Sequence, residues 1–216
     1  MQAYRLLTSS ELNHHAAKVA PWLLGKLLLR RSSAGWMGGY ICEAEAYEGE
    51  DDLGCHAKAG LTKRTAVMFG PPGYAYIYFT YGMHWMLNAV VGEQGHPAAV
   101  LIRSIYPIIG LDIMEVNRQH TSGWSLEHSA RGWTDGPAKL SQALALDGRL
   151  NGTPLIDSEG EILILDADVH LQQDAIHQSA RIGLFTVPEP WKSIQWNWKV
   201  TGKVKFPPLN LDKIPF

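Results

Sequence analysis

The sequence has little of what marks a secreted or membrane-bound protein. Its 216 residues include only two cysteines, Cys42 and Cys55, which are too few for a disulfide framework and lack the spacing of a zinc site. No apolar run is long enough to cross a bilayer, and the opening MQAYRLLTSS lacks the apolar centre of a signal peptide. These absences predict a cytoplasmic protein with reduced thiols, no metal and no membrane partner.

Charge is also scarce. Only 19% of the residues are charged and the formal net charge is −2, which argues against a protein that coats nucleic acid over a wide basic surface. Local basic patches remain open at 26–31, 58–64 and 199–205, although composition alone favours ordinary solvated faces over a track for phosphates. The chain is 46% hydrophobic, enough for a substantial core, and without a visible linker we expect one domain over 1–216.

Helices and strands are mixed without a regular alternation, which favours an α+β fold over a doubly wound sheet. Thr8 and Glu11 have the spacing of a capping box and predict a helix over 8–20 that Pro21 ends or kinks. Helices are also predicted over 107–119 and 135–148, the second with Asp135 as its cap, Pro137 in its first turn and Gly148 after its end. Late strands are predicted within 160–168 and 178–184.

The segment YICEAEAYEG, residues 40–49, reads as a strand with an unusual face. Alternation predicts that one face carries Tyr40, Cys42, Ala44 and Ala46, and that the other carries Ile41, Glu43, Glu45 and Tyr47. Two carboxylates on one face are costly to bury. Glu43 and Glu45 are therefore either solvated carboxylates on an edge strand, or one of them is a general base. This stretch of sequence alone favours solvated carboxylates.

Residues 74–91 predict a β-hairpin that turns at Tyr81-Gly82-Met83. If Thr80 pairs with His84, one face of the hairpin carries Tyr76, Tyr78, Met86 and Asn88. The tyrosines are of a type more often found in the core, and Asn88 fits a structural or a binding role. Tyr81 would lie at the tip, where an aromatic side chain suits an interface anchor or a wedge between bases.

Arg103 lies within AAVLIRSIY, a predicted strand of apolar residues. A guanidinium there must find an anion. The candidates are Glu43, Glu45 and a bound phosphate.

Taken in order, these segments resemble the alkyladenine (3-methyladenine) DNA glycosylases, the mammalian-type monofunctional enzymes of base excision repair. The resemblance rests on EAEAY, then His56 nine residues after Tyr47, then MFGPPGYAYIYFTYGMHWMLN, VLIRS and DGPAKLSQAL. A weaker continuation runs through ARIGL to VTGK. It implies a curved, largely antiparallel sheet with flanking helices and a protruding hairpin.

The resemblance also implies a role for each matched residue. Glu45 would activate water, which Arg103 and the backbone carbonyl near Leu184 would help to hold. Tyr47, His56 and Tyr78 would stack on an extruded base, and Asn88 would crowd the exocyclic amine of guanine. Tyr81, with Met83 beside it, would fill the gap left in the duplex.

The implied partner is double-stranded DNA with alkylated or deaminated purines, acted on by a monomer without a cofactor, at the nucleoid if the source is bacterial. Turning a nucleotide out of the duplex costs a few kcal/mol, and stacking on aromatic side chains returns roughly 1–3 kcal/mol per base. Two alternatives remain: a non-catalytic module that binds damaged or single-stranded DNA, and a sugar glycoside hydrolase that uses Glu43 and Glu45 as an acid/base pair.

Overall fold

The computed structural model describes residues 4–119, 130–202 and 204–214. Its four helices are α1 (Ser9–Leu12), α2 (Ala16–Leu23), α3 (Leu111–Gln119) and α4 (Pro137–Ala143). Its nine strands are β1 (Arg5–Leu6), β2 (Leu27–Ser32), β3 (Gly35–Glu48), β4 (Ala75–Thr80), β5 (His84–Val90), β6 (Ala98–Ile109), β7 (Ile162–Asp166), β8 (Ile176–Ser179) and β9 (Asn197–Val200). No helix in these ranges is long and apolar enough to span a membrane.

The strands form one curved sheet in the order β1-β7-β2-β3-β6-β5-β4, and β8 joins it through β9. Every pairing between the described strands is antiparallel. The long β3 pairs with β2 through its first half and with β9 through Glu43–Glu45. The predicted α+β fold with a curved antiparallel sheet is therefore confirmed.

The sheet has apolar cover on both faces. On one face, helices α2 and α4 pack against a large core that includes Leu28, Ala44 and Ile102. On the other, Leu29 and Tyr40 form a second core beneath the C-terminal segment with Ile214. A third, small cluster lies around Met68 and Tyr76 and supports the site described below.

The β3–β6 pair has three register shifts, and one of them, a β-bulge at Cys42, corrects the predicted faces of β3. Ile41 pairs with Ile105 and Ala44 with Ile102, but Cys42 and Arg103 have no partner in the ladder. The bulge adds one residue and so reverses the alternation of side chains. Ile41 therefore packs in the large core with Cys42, Ala44 and Ala46, whereas Tyr40 lies in the second core. Glu43, Glu45 and Tyr47 share a face as predicted.

The first predicted helix is divided in two. Thr8 and Glu11 form the capping box of α1 as predicted, but the helix ends at Leu12 and not at Pro21. A new helix begins at Ala16, where the His15 ring accepts a hydrogen bond from the Ala17 backbone and Glu48 accepts one from Ala16. Pro21 lies inside α2, which ends at Leu23.

The helix predicted over 135–148 is shorter than expected. Gly136, not Asp135, occupies the cap position of α4, directly before Pro137 at the first helical position, and the Asp135 carboxylate instead accepts from Lys139 Nζ at 2.7 Å. Pro137 is in the first turn as predicted, but α4 ends at Ala143 and Gly148 begins a short 3₁₀ turn. The helix predicted over 107–119 begins only at Leu111 because residues up to Ile109 extend β6.

The late strands are confirmed in part. β7 lies within the range 160–168 as predicted. β8 covers 176–179, so the residues from Ala180 to Leu184 form a loop. That loop reaches the site described next.

Candidate active site

A pocket of about 320 Å³ opens against strands β3, β4, β5 and β6. Seven of the residues singled out in the sequence line it: Tyr47, His56, Tyr78, Tyr81, Asn88, Arg103 and Leu184. They come from strands, from the loop after β3 and from the loop after β8. The fold therefore brings together residues up to 137 positions apart.

Glu45 lies beneath this pocket, fully buried, and four donors surround its carboxylate. Oε1 accepts from the Ile182 backbone at 2.7 Å and from Asn197 Nδ2 at 2.9 Å. Oε2 accepts from Tyr47 Oη at 2.8 Å and lies 3.3 Å from an Arg103 nitrogen. A carboxylate can accept at both oxygens, so the four donors fix its orientation toward two pocket-lining side chains.

Glu43 supports the same network from two residues earlier. Its carboxylate receives Arg103 Nε at 2.8 Å, Asn197 Nδ2 at 3.1 Å and Lys199 Nζ at 2.8 Å. Burial raises the pKa of Glu43, but the hydrogen bonds from Lys199 and Asn197 and the charge of Arg103 outweigh it, so the pKa lies below its usual value. The anion that Arg103 requires is thus supplied by both glutamates.

Tyr47 forms one wall of the pocket, and a buried ion pair braces it. Burial, followed by the nearby charge of Glu45, raises the pKa of Tyr47 well above its ordinary value, so its phenol remains a donor to Glu45. The Arg181 guanidinium lies 4.7 Å from the ring centroid. Asp52 pairs with Arg181 through contacts of 2.5 and 2.8 Å, and both side chains are fully buried.

His56 and Tyr78 form the facing group of rings, with centroids 4.5 Å apart and an edge-on geometry. Burial, then the charges of Arg64 and Lys58, lowers the pKa of His56 to about 4, so the ring is neutral at pH 7. Arg64 NH2 lies 3.4 Å from His56 Nε2. Because arginine only donates, Nε2 is the acceptor and Nδ1–H donates to Tyr76 Oη at 3.0 Å.

Asn88 has a structural contact as well as a place in the pocket wall. Its amide donates to the Tyr76 backbone carbonyl at 2.9 Å across the β4–β5 pair. This bond fixes the direction of a side chain that is nearly inaccessible to solvent. The two roles considered for Asn88 are compatible in this geometry.

The hairpin has the predicted register, with Thr80 opposite His84. Tyr81 at its tip is 78% exposed and Met83 is 64% exposed. Tyr81 also has a φ of 51°, a left-handed conformation that is uncommon for a bulky residue. Tyr81 lines the rim of the pocket, whereas Met83 is not among the residues that line it.

A loop from Arg181 to Phe185 forms the opposite rim. Ile182, Gly183 and Leu184 line the pocket, and Phe185 beyond them is 80% exposed. The Leu184 carbonyl accepts from the Val187 backbone at 3.2 Å. Its assignment as a water ligand stays a prediction.

Sequence reasoning missed Asp52, Arg181 and Asn197, which hold the two glutamates and Tyr47 in place. The signal for Asn197 was present in QWNWKV, where an amide between two tryptophans on a short strand raises the same question as Asn88. Arg181 and Asp52 are 129 positions apart, and nothing local links them.

Comparison with known proteins points to one family. Residues 10–204 match the model of the family described as methylpurine-DNA glycosylase. A protein of Carboxydothermus hydrogenoformans named "Putative 3-methyladenine DNA glycosylase" is 43% identical over 77% of this chain and 82% of its own length. Proteins of the same name are 37% identical in Burkholderia cenocepacia, over 88% of this chain and 85% of theirs, and 40% identical in Methanoculleus marisnigri, over 77% and 82%.

Proposed function

The chain belongs to the methylpurine-DNA glycosylase family, and we propose that it releases alkylated purines, 3-methyladenine and related lesions, from duplex DNA by hydrolysing the N-glycosidic bond. It acts as a monomer without a cofactor, in the cytoplasm, or at the nucleoid if the source is bacterial. The damaged nucleotide turns out of the helix into the pocket lined by Tyr47, His56 and Tyr78.

The observation that carries this proposal is one buried carboxylate directly behind a pocket of aromatic rings. Glu45 contacts Tyr47 and Arg103, and both line the pocket. A flat, aromatic cavity suits a stacked base, and a carboxylate at its floor suits the activation of water.

In the proposed reaction, a water molecule attacks the anomeric carbon while Glu45 accepts its proton. The bond between that carbon and the base nitrogen breaks, and its electron pair leaves with the purine. Arg103 holds the water together with the Leu184 carbonyl, and its charge stays balanced by Glu43. Positive charge that develops on the sugar is stabilised by the nearby carboxylate.

The hairpin tip supplies the wedge in this proposal. Tyr81 fills the space that the rotated nucleotide leaves, with Met83 beside it. Their exposure suits this role, because a side chain packed against its own protein could not enter a base stack. Asn88 crowds the exocyclic amine of an undamaged guanine.

The alternative of an inverting sugar glycoside hydrolase loses support from the position of Asn197. One amide nitrogen lies 3.1 Å from Glu43 Oε1 and 2.9 Å from Glu45 Oε1, so these oxygens are no more than about 6.0 Å apart. An inverting enzyme needs a carboxyl separation of roughly 6.5–9.5 Å with a water between. Here an amide occupies that place.

The test is release of purine from methylated duplex DNA, with the freed bases identified by chromatography. Wild-type protein releases 3-methyladenine, and Glu45→Gln slows release by at least about a hundredfold while still binding the lesion duplex. Glu43→Gln, the matched change on the same face, slows release less because Glu43 reaches the pocket only through Arg103, whereas Glu45 contacts both Arg103 and Tyr47. Normal release by Glu45→Gln would reject the mechanism, and no release by the wild type would favour the non-catalytic binding module.

A further inference from the structure

Two guanidinium groups lie against the aromatic walls of the pocket, but only one has a carboxylate partner. Arg181 lies against Tyr47, and Asp52 balances its charge. Arg64 lies 5.1 Å from the centroid of the Tyr78 ring and 3.4 Å from His56 Nε2. Within the described residues, no carboxylate forms an ion pair with Arg64.

The buried carboxylates beneath the pocket and their cationic partners are equal in number. The carboxylates of Glu43, Glu45 and Asp52 are matched by three cations, Arg103, Arg181 and Lys199. Arg64 and, to a smaller extent at His56, Lys58 add positive charge, and neither forms an ion pair with a carboxylate among the described residues. Arg64 adds its charge at the two rings, His56 and Tyr78, on which a base would stack.

His56 shows the effect of this charge on a group in the pocket. Burial is the largest cause of its low pKa, about 4, and the charge of Arg64 is the second. What disfavours a protonated imidazole also disfavours a cationic purine stacked beside it, since both place a positive charge near the same guanidinium. Tyr78 already contacts a resident cation, so it offers less cation–π attraction to a second one.

The loop around Arg64 is held by its own hydrogen bonds. The Thr62 backbone donates to Thr65 Oγ1 at 2.8 Å, the Thr65 backbone donates back to Thr62 Oγ1 at 3.2 Å, and Thr65 Oγ1 donates to the Gly60 carbonyl at 2.7 Å. Thr65 is buried. This turn fixes the backbone from which the Arg64 side chain reaches the rings.

We propose that Arg64 is a specificity-determining residue whose unpaired positive charge beside Tyr78 and His56 makes the pocket favour neutral purine lesions over cationic ones. The inference rests on the proposed function and names its substrate class more closely: hypoxanthine and ethenoadenine are neutral, whereas 3-methyladenine and 7-methylguanine carry a positive charge as nucleotides. Cationic lesions remain substrates, because their own charge weakens the glycosidic bond.

The test compares 7-methylguanine with hypoxanthine in otherwise identical duplexes, at about pH 6 so that the methylated base keeps its charge and His56 stays neutral. Single-turnover release is measured for the wild type, and lesion binding is measured in the Glu45→Gln background. Replacing Arg64 by Gln raises the ratio of cationic to neutral lesion by about fivefold in both measurements. The two bases differ in shape, but this difference is the same in every variant. It therefore cancels when the ratio in a variant is compared with the ratio in the wild type.

Two control variants separate the charge from its position. Arg64→Lys keeps the charge and the wild-type ratio within about twofold. Lys63→Gln removes a positive charge one residue away and leaves the ratio unchanged. Lys63 is exposed, as Arg64 is, but the contacts with Tyr78 and His56 are made by Arg64. If Arg64→Gln lowers binding to both lesions and to undamaged duplex in parallel, Arg64 is a phosphate contact and the proposal is overturned.

A second readout does not depend on catalysis. Proton NMR titration of His56 gives a higher pKa in Arg64→Gln than in the wild type, and an unchanged pKa overturns the proposal even if the protein releases no purine. If the wild type releases neither base, the proposed function fails. If it releases both and the ratio does not respond to Arg64, only the specificity assignment fails.

Discussion

The floor of the pocket and the tip of the hairpin are built in opposite ways. At the floor, Glu43, Glu45 and Asp52 are buried, and each carboxylate has charged or amide donors at both oxygens. At the tip, Tyr81 and Met83 are exposed. A buried charge is tolerated only when it has a partner, whereas an exposed ring contributes little to stability. Substitutions at the floor should therefore change the stability of the fold, and substitutions at the tip should change activity with little effect on stability.

The largest effect on stability is expected at the Asp52–Arg181 pair. Asp52→Asn leaves the buried Arg181 guanidinium without a counter-charge and lowers the free energy of unfolding by about 3–5 kcal/mol, measured by urea denaturation. Asp51→Asn is the matched control, since Asp51 is the exposed neighbour, and it leaves the unfolding midpoint unchanged. An equal loss of unfolding free energy in Asp52→Asn and Asp51→Asn would contradict the stabilising role assigned to the Asp52–Arg181 pair.

A smaller effect is expected from His56, and it depends on pH. The pKa of His56 is about 4 in the folded protein and about 6.5 in an unfolded chain, so the unfolded state takes up the proton first as the pH falls. The contribution of neutral His56 to the free energy of unfolding is therefore fully present above about pH 6.5. It falls by about 2 kcal/mol as the pH is lowered toward 4.

His56→Gln removes this titration. The difference in unfolding free energy between wild type and variant should therefore shrink as the pH is lowered from about 6.5 to 4. His170→Gln, at a histidine whose side chain is 86% exposed, serves as the control. A difference that stays constant over this range would refute the pH dependence assigned to His56.

The smallest effect on stability is expected at the tip. Tyr81→Asn changes the free energy of unfolding by less than about 0.5 kcal/mol, since asparagine accepts the left-handed conformation at φ 51°. Under the proposed function it slows base release from duplex DNA by about tenfold but not from single strands. Tyr81→Phe retains the ring and the wild-type rate, and a large loss of stability in Tyr81→Asn would show that the tip packs against the protein.

The same contrast explains which features could be predicted from sequence. The hairpin register, the exposed Tyr81 and the shared face of Glu43, Glu45 and Tyr47 follow from alternation and local turn chemistry, and all agree with the structure. The faces of Tyr40 and Ile41 were predicted wrongly because a bulge leaves no local signal that distinguishes Cys42 from its neighbours. The partners of the glutamates were missed because β9 reaches β3 only through the tertiary fold.

Recognition of the family depended on ordered motifs rather than on any single residue. Arg103 illustrates the difference: its position in an apolar strand required an anion, and the structure supplies two. Its bulge, which turns the side chain toward both glutamates, could not be read from VLIRS.

The bulge at Cys42 also limits how strand β3 can evolve. Cys42 is the extra residue of its bulge, and Ile41 and Cys42 therefore lie on the same face of β3. A one-residue insertion or deletion in the regular run that follows, residues 43–47, would reverse the alternation there and turn Glu45 toward the apolar core, so we expect this run to keep its length. Changes of chain length that leave the Glu45 carboxylate in place are expected instead in the segments at the rim, such as 58–64 and 181–185, because these segments belong to no strand pairing.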